Sequence, residues 1–394
     1  GPQFYYPTFD QTTSELQGSG TKEDPYLILN EYNFVRFITV VNSGDTEYNN
    51  PNVYYALGAN INLQSHDFNA IVEFNANFNG NGYTISGLHI GTSAESNVAL
   101  VKVNNGLIRD VKFANAVVFG DNNVAGVVAV NNGVLHGIVF DGMVMGRNNV
   151  AGVVAVNGTT SQKGTLVRLG SHGLISGNTN VGGVVGYMQN SNVDNYNDVF
   201  TIKHNTDGTV VNTYTGITES YSRATVFGTV NVGGVVGNAE NTENHLAIKN
   251  VYNTGTVYGY DGVAGIVGKI TNANIQFVYS FGDITTYNEN VTDTNFANSG
   301  VGHIAGVATN TTIGYELNGA SLGVAIMPND NRYIYIPKND TLLTNPVSIG
   351  TASNCLDRTV SYDYIIMQVQ QTYTQYGFEF INMWRFYDVE NNFN

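Results

Sequence analysis

Two carboxylates standing one repeat apart are the sharpest hint of chemistry in this chain. Glu95 and Asp121 each lie three residues before an anchoring valine, Val98 and Val124, in two copies of a repeated segment. If the copies stack as neighbouring β-strands do, at roughly 4.8 Å, the carboxyl groups sit roughly 5 Å apart, the separation used by a retaining glycosidase. The same position continues as Arg147 and Asn178. The column therefore also reads as an exposed turn in which Asp121 pairs with Arg147, and an exposed turn does little to raise a carboxylate's pKa. The turn reading is the simpler one, so no catalytic, cofactor-binding or metal-binding residue is assigned.

Other reactive side chains do not converge in the sequence. Asp110, Asp141, Asp194, Asp198, Asp261 and Asp283 fall in different registers of the repeat. The histidines (His66, His89, His136, His172, His204, His245, His303) show no HExxH spacing, no i, i+4 pair and no nucleophile elbow. Tyrosine is abundant, at 25 residues, and Tyr187, Tyr196, Tyr214, Tyr221, Tyr252, Tyr258, Tyr260 and Tyr279 lie in or beside the longer inserted segments. There they either pack between repeats or stack on sugars and protein partners. The stretch from Met188 to Val230 is the best candidate for a specific surface, because loops on a rigid scaffold carry function more often than the scaffold does.

What must position these groups is a repeat. NVAGVVAVN occurs twice, from Asn123 and Asn149, flanked by NVALVKVN, NVGGVVGYM and NVGGVVGNA. Anchored on Val98, Val124, Val150, Val181, Val232, Val263 and, more weakly, Ile304, the steps are 26, 26, 31, 51, 31 and 41 residues. A period in the twenties made of short β-rich runs is one coil of a solenoid, each coil burying its apolar face only against its neighbours. The 51-residue step is either two coils or one coil with a large insertion. Within each 26-residue unit, VAGVVAV, VLHGIVF and MVMG read as three strands separated by NNG and DG, which describes a parallel β-helix. The position before each anchor reads Asn97, Asn123, Asn149, Asn180, Asn231, Gly262 and His303, so five asparagines should form an amide ladder of structural purpose. In EYNFVRFITVVNSG, Phe34, Phe37, Ile38 and Val41 recur at helical spacing before Gly44. This is the one convincing helix, and it is placed to cap the first coil.

Composition limits the partners. Charged residues make up only 12%, and the net charge is −15, which excludes nucleic acid and anionic membranes as main partners because both are bound through Lys and Arg. The single cysteine, Cys355, permits no internal disulfide and should fill a small buried space. No run of apolar residues reaches the roughly 20 needed for membrane insertion. Gly1 and Pro2 read as the remnant of a cleaved tag.

The units NTNVGGVVGYMQNSN, GTVNVGGVVGN and YDGVAGIVGK resemble the GLUG motif, which occurs in arrays on large exported bacterial proteins. GTKEDPYLI, ANINL and FNGNGYTISGLHI resemble that family's opening segment, YSRATVFGTV, YNTGTVYGY and YSFGDITTY its strands between motifs, and YGFEFINMWRF its closing coil, with Trp384 as the plug. Valine replaces leucine in most copies, and the chain ends at VENNFN without the family's usual aromatic and proline finish.

The expected fold is all-β, a right-handed parallel β-helix with a short N-terminal capping helix. Residues 1–20 form a lead-in, 21–90 the cap and first coils, 91–312 the GLUG-type repeats, and 313–394 the last coils and cap. The resemblance implies a non-catalytic, elongated module of an exported surface protein, extracellular or at the cell surface, binding a host or neighbouring-cell protein or glycan without a cofactor. Two alternatives stay open: a carbohydrate-active β-helix enzyme, and an accessory stalk beside a surface protease.

Overall fold

The computed structural model describes residues 15–189, 216–291, 299–329, 334–337, 341–342 and 347–380. It is nearly all β, and its long sheets are parallel. Strands one repeat apart are hydrogen-bonded neighbours, the arrangement of a β-helix. Val124 pairs with Val150, Val150 with Val181, Val181 with Val232 and Val232 with Val263. A second ladder joins Val101, Val128, Val154, Val185, Val236 and Val267. A third joins the long strands Leu107–Phe119, Val134–Met145 and Thr165–Ser176. The direct pairing of Val181 with Val232 resolves the 51-residue step as one repeat carrying an insertion.

Two details differ from the sequence expectation. The last anchor is Val301, which pairs with Val263, whereas Ile304 stands in the column of Ile266 and Val235. The reason is conformational: the residue before each anchor has a left-handed φ, near 57° at Asn123 and Asn231, and only Gly262 and Gly300 extend that series, at 67° and 72°. Asparagine and glycine are the residues that reach this region at low cost. His303 therefore does not belong to the ladder. The strand breaks also move. The chain turns at Gly126 and Val127, splitting VAGVVAV into Asn122–Ala125 and Val128–Asn131, while Asp141 and Gly142 lie within the unbroken strand Val134–Met145.

The glycines of the motif follow from this turn. A Cβ on Gly126 would enter the Phe140 ring, and one on Gly183 would meet the carbonyl of Gly234 in the next repeat. Gly126, Gly152, Gly183, Gly234 and Gly265 thus form a column where the wall closes on itself and only hydrogen fits.

Helix α1 (Glu31–Asn42) forms where its pattern placed it. Asn30 caps it by accepting from Asn33 N at 2.9 Å, and Gly44 follows it at φ +84°. Its apolar stripe is buried: Phe37 lies 4.6 Å from Tyr55 and 5.6 Å from Phe78 by ring centroids, and Phe34 6.1 Å from Phe68. The helix thereby covers the apolar interior before the repeats begin. At the other end Ile349–Ser353 continues the second ladder by pairing with Ala305 to Thr309. Beyond it, Met367, Tyr373 and Phe378 fold onto the outside of the third face, against Tyr221, Tyr252 and Phe277. Trp384 lies outside the described residues. Cys355 is only half-buried, its thiol reaching the carbonyls of Ala308 and Ser353 at 3.4 Å each.

Candidate functional site

The Glu95 and Asp121 column exists as a backbone column. Asp121 N donates to Glu95 O at 2.6 Å, and Arg147 N donates to Asp121 O at 2.7 Å. Its side chains are committed elsewhere. Arg147 grips Asp121 through Nε to Oδ1 at 2.6 Å and Nη2 to Oδ2 at 3.2 Å, while Glu95 accepts from Thr92 Oγ1 at 3.1 Å. The hydrogen bonds from Arg147 hold the Asp121 carboxyl below the usual carboxylate range, so it stays ionised and is not poised to donate a proton. Among the described residues no group of three His, Cys, Asp or Glu is placed to hold a metal ion. Replacing Arg147 with alanine should return the Asp121 pKa towards its ordinary value in a side-chain NMR titration. The pair is exposed, so the urea midpoint should barely move. A large loss of stability would show that the pair anchors the turn.

Several amide ladders run along the axis, a short one joining Asn272, Asn310 and Asn354 among them. The expected one holds: Asn123 donates to Asn97, Asn149 to Asn123, Asn180 to Asn149 and Asn231 to Asn180, at 2.8 to 3.0 Å. A second, not foreseen, is wholly buried. Asn104 Nδ2 donates to Asn131 Oδ1 and Asn131 Nδ2 to Asn157 Oδ1, each at 2.9 Å. Both of these ladders are scaffold.

The tyrosines divide as their surroundings dictate. Tyr221, Tyr252 and Tyr279 stack at 5.3 and 4.9 Å beneath the C-terminal segment, and burial pushes the Tyr221 hydroxyl up to about 12. Tyr187 donates to Glu240 at 2.9 Å. Phe227, Tyr258 and Tyr287 form an outer stack, with Tyr287 and Tyr260 exposed. Tyr196 and Tyr214 lie outside the described residues. So does most of the Met188 to Val230 stretch: Met188 itself is buried in the second ladder, and Ile217–Ser222 has already rejoined the third. Only residues 190–215 remain as insertion.

The structure assembles one cluster that sequence reading left dispersed. Asn79, Arg109 and His136 are register partners on successive strands. Arg109 Nε donates to Asp110 Oδ2 at 2.7 Å, and His136 Nδ1 stands 3.9 Å from Asp110 Oδ1, an electrostatic contact too long for a hydrogen bond. Burial pushes the Asp110 carboxyl up, but His136 and Arg109 beside it more than offset this and hold it below its ordinary value. These residues, with Lys112 and Arg168, line a cleft of about 390 Å³. A neighbouring cleft of about 310 Å³, lined by Lys22, Tyr54 and Asn77 among others, shares Asn79, Asn81 and Arg109 with it. The two are one groove along the outside of the first repeats. The only signal in the sequence was the 27-residue step from Arg109 to His136, one residue longer than the 26-residue repeat.

The groove exists because each long strand bends at a left-handed residue: Asp110 at φ 53°, Gly137 at 69°, Arg168 at 56°, Glu219 at 53°. Asp110 can occupy its place because Gly137 lacks the Cβ that would strike the Asp110 carboxylate.

No family model matches the chain. Halomucin of Haloquadratum walsbyi is 29% identical over 145 residues, 33% of this chain, and the chain spans about 2% of halomucin's length. A crystal structure from Bacteroides ovatus, described as a “putative immunoglobulin A1 protease”, superposes with a TM-score of 0.52 at 17% identity, covering 94% of this chain and 92% of that one. At this identity the likeness speaks for a shared fold alone.

Proposed function

We propose that the chain is a right-handed β-solenoid of the GLUG kind, serving as a non-catalytic, elongated module of an exported surface protein. It presents a binding face to a host or neighbouring-cell protein or glycan. The observation that carries this reading is the register. Outward residues recur once per repeat on parallel ladders, so the scaffold sets them in columns at a fixed spacing, a surface suited to a long or repeating ligand. The partial similarity to halomucin and the fold shared with the Bacteroides ovatus protein support an extracellular or surface setting. The description of the latter as a protease gives a second form of the same reading, a stalk beside a protease part.

A screen of immobilised glycans and host-surface proteins tests the proposal, run beside product assays on the same polysaccharides and on peptide substrates. Binding without turnover is the expected result, and turnover of any bound ligand overturns the non-catalytic reading. Deleting residues 190–215 separates the insertion from the scaffold: binding that survives the deletion resides on the repeats.

A further inference from the structure

The chain as a whole is acidic, with 31 Asp and Glu against 16 Lys and Arg. Around the groove the balance is inverted. Lys22, Arg109, Lys112 and Arg168 line it; Asp110 is the one carboxylate among its lining residues, and the buried Glu219 stands 3.5 Å from Arg168. Lys112 is exposed and forms no ion pair among the described residues. In a molecule carrying −15, a local excess of cations is a feature the general surface composition does not supply.

The backbone reinforces this. At the other left-handed corner the chain uses only Asn and Gly, which adopt positive φ cheaply: Asn97, Asn123, Asn149, Asn180, Asn231, Gly262 and Gly300. At the groove corner the column reads Asp110, Gly137 and Arg168, continued beyond the groove by Glu219, Asn250 and Phe277; Asp and Gly reach positive φ readily, so among the groove residues Arg168 is the one held there under strain. Strain held at a particular position against an available alternative points to function there.

The remaining lining is neither apolar nor purely ionic. Asn77 donates to the carbonyls of Pro51 and Val53, Asn79 accepts from Asn81 N, and Asn81 donates to Leu57 O. Asn77 Oδ1, Asn79 Nδ2 and Asn81 Oδ1 are left without a partner among the described residues. Amides that offer both donor and acceptor atoms match vicinal hydroxyls, and the half-buried Tyr54 at the same groove supplies a ring face for C–H groups. An acidic peptide would use the cations but not this alternation of amides and ring.

Resting on the surface-module reading above, we infer that this groove binds a carboxylated saccharide chain. Lys112, Arg168, Arg109 and Lys22 meet the sugar carboxylates, and Asn77, Asn79, Asn81 and Tyr54 meet the sugar rings.

The test uses the chain as it stands, with oligogalacturonate, its neutral methyl ester, and a terminally sialylated trisaccharide as probes in calorimetry. Oligogalacturonate should bind and its methyl ester should not. Lys112→Glu should weaken binding roughly tenfold, and Asp110→Asn, which suits positive φ and removes the opposing charge, should strengthen it severalfold. Opposite effects from two variants of equal stability cannot arise from damage to the fold. Raising the ionic strength from about 0.1 M to about 1 M, which shortens screening from about 10 Å to about 3 Å, should weaken binding further. Stronger binding of the sialylated probe would identify a host-type terminal carboxylate as the source, and stronger binding of the oligomer a polyuronate. Equal binding of the methyl ester, or indifference to both substitutions, overturns the inference while leaving the module reading intact. Cleavage of the oligomer overturns the non-catalytic reading and leaves the groove as its binding site.

Discussion

Replacing Asn131, whose side chain is fully buried, with alanine should cost about 4 kcal/mol of unfolding free energy in urea denaturation. Its amide is fully used. Oδ1 accepts from Asn104 Nδ2 at 2.9 Å and Gly133 N at 3.2 Å, and Nδ2 donates to Asn157 Oδ1 at 2.9 Å and Gly133 O at 3.2 Å. Asn104, Asn131 and Asn157 are completely buried. Removing the middle amide strands polar atoms where water cannot replace it, at about 1–3 kcal/mol for each unsatisfied group. The partly exposed ladder makes the contrast. Asn123→Ala also breaks two amide bonds, yet water can replace them, and the main cost is an alanine at φ 57°, about 1 kcal/mol.

The same column shows what would compensate. Before Asn104 it carries Phe74, and after Asn157 it carries Met188, Ala239 and Ile270. An apolar side chain is therefore the ordinary occupant. Replacing all three asparagines with leucine should recover much of what Asn131→Leu alone loses, because no partner is then left unmatched. Additive losses across the three sites would show that the amides hold the turns at Gly106 and Gly133 rather than one another.

These two ladders show how far the sequence could be read. The surface ladder was legible because its asparagines precede the most regular strings of the chain and because left-handed corners select Asn. The buried ladder repeats at 27 and 26 residues in VKVNNG, VAVNNG and VAVNG, yet nothing local distinguishes a buried asparagine from an exposed one in an Asn-rich chain. Helix α1 was legible from four apolar positions and a stop. The groove was not, since Asn79, Arg109 and His136 come from units whose sequences differ, and only the register of Leu107–Phe119 against its neighbours brings them together. The register differs at one end: the anchor series runs to Ile304 in the sequence, whereas the left-handed φ selects Val301, the residue after Gly300.

In this register His303 occupies the end of the glycine column, and its burial there makes stability depend on pH. Gly126, Gly152, Gly183, Gly234 and Gly265 precede it, and Gly265 N donates to His303 O at 3.0 Å. His303 is buried, and burial lowers its pKa to about 4 from 6.5. Its Nδ1 has no hydrogen-bond partner among the described residues. Between those two values the unfolded chain binds a proton that the folded chain refuses, so stability falls as the pH drops from 6.5 towards 4 and is fully present above 6.5. The shift corresponds to about 3 kcal/mol. Urea denaturation of the protein and of a His303→Leu variant at pH 7 and pH 4 isolates the effect, because every other titrating group cancels in the comparison. The native chain should lose about 3 kcal/mol more than the variant over that interval. Identical pH dependence would mean that the imidazole is hydrated or paired when protonated, and that the last repeats open locally before the rest of the ladder.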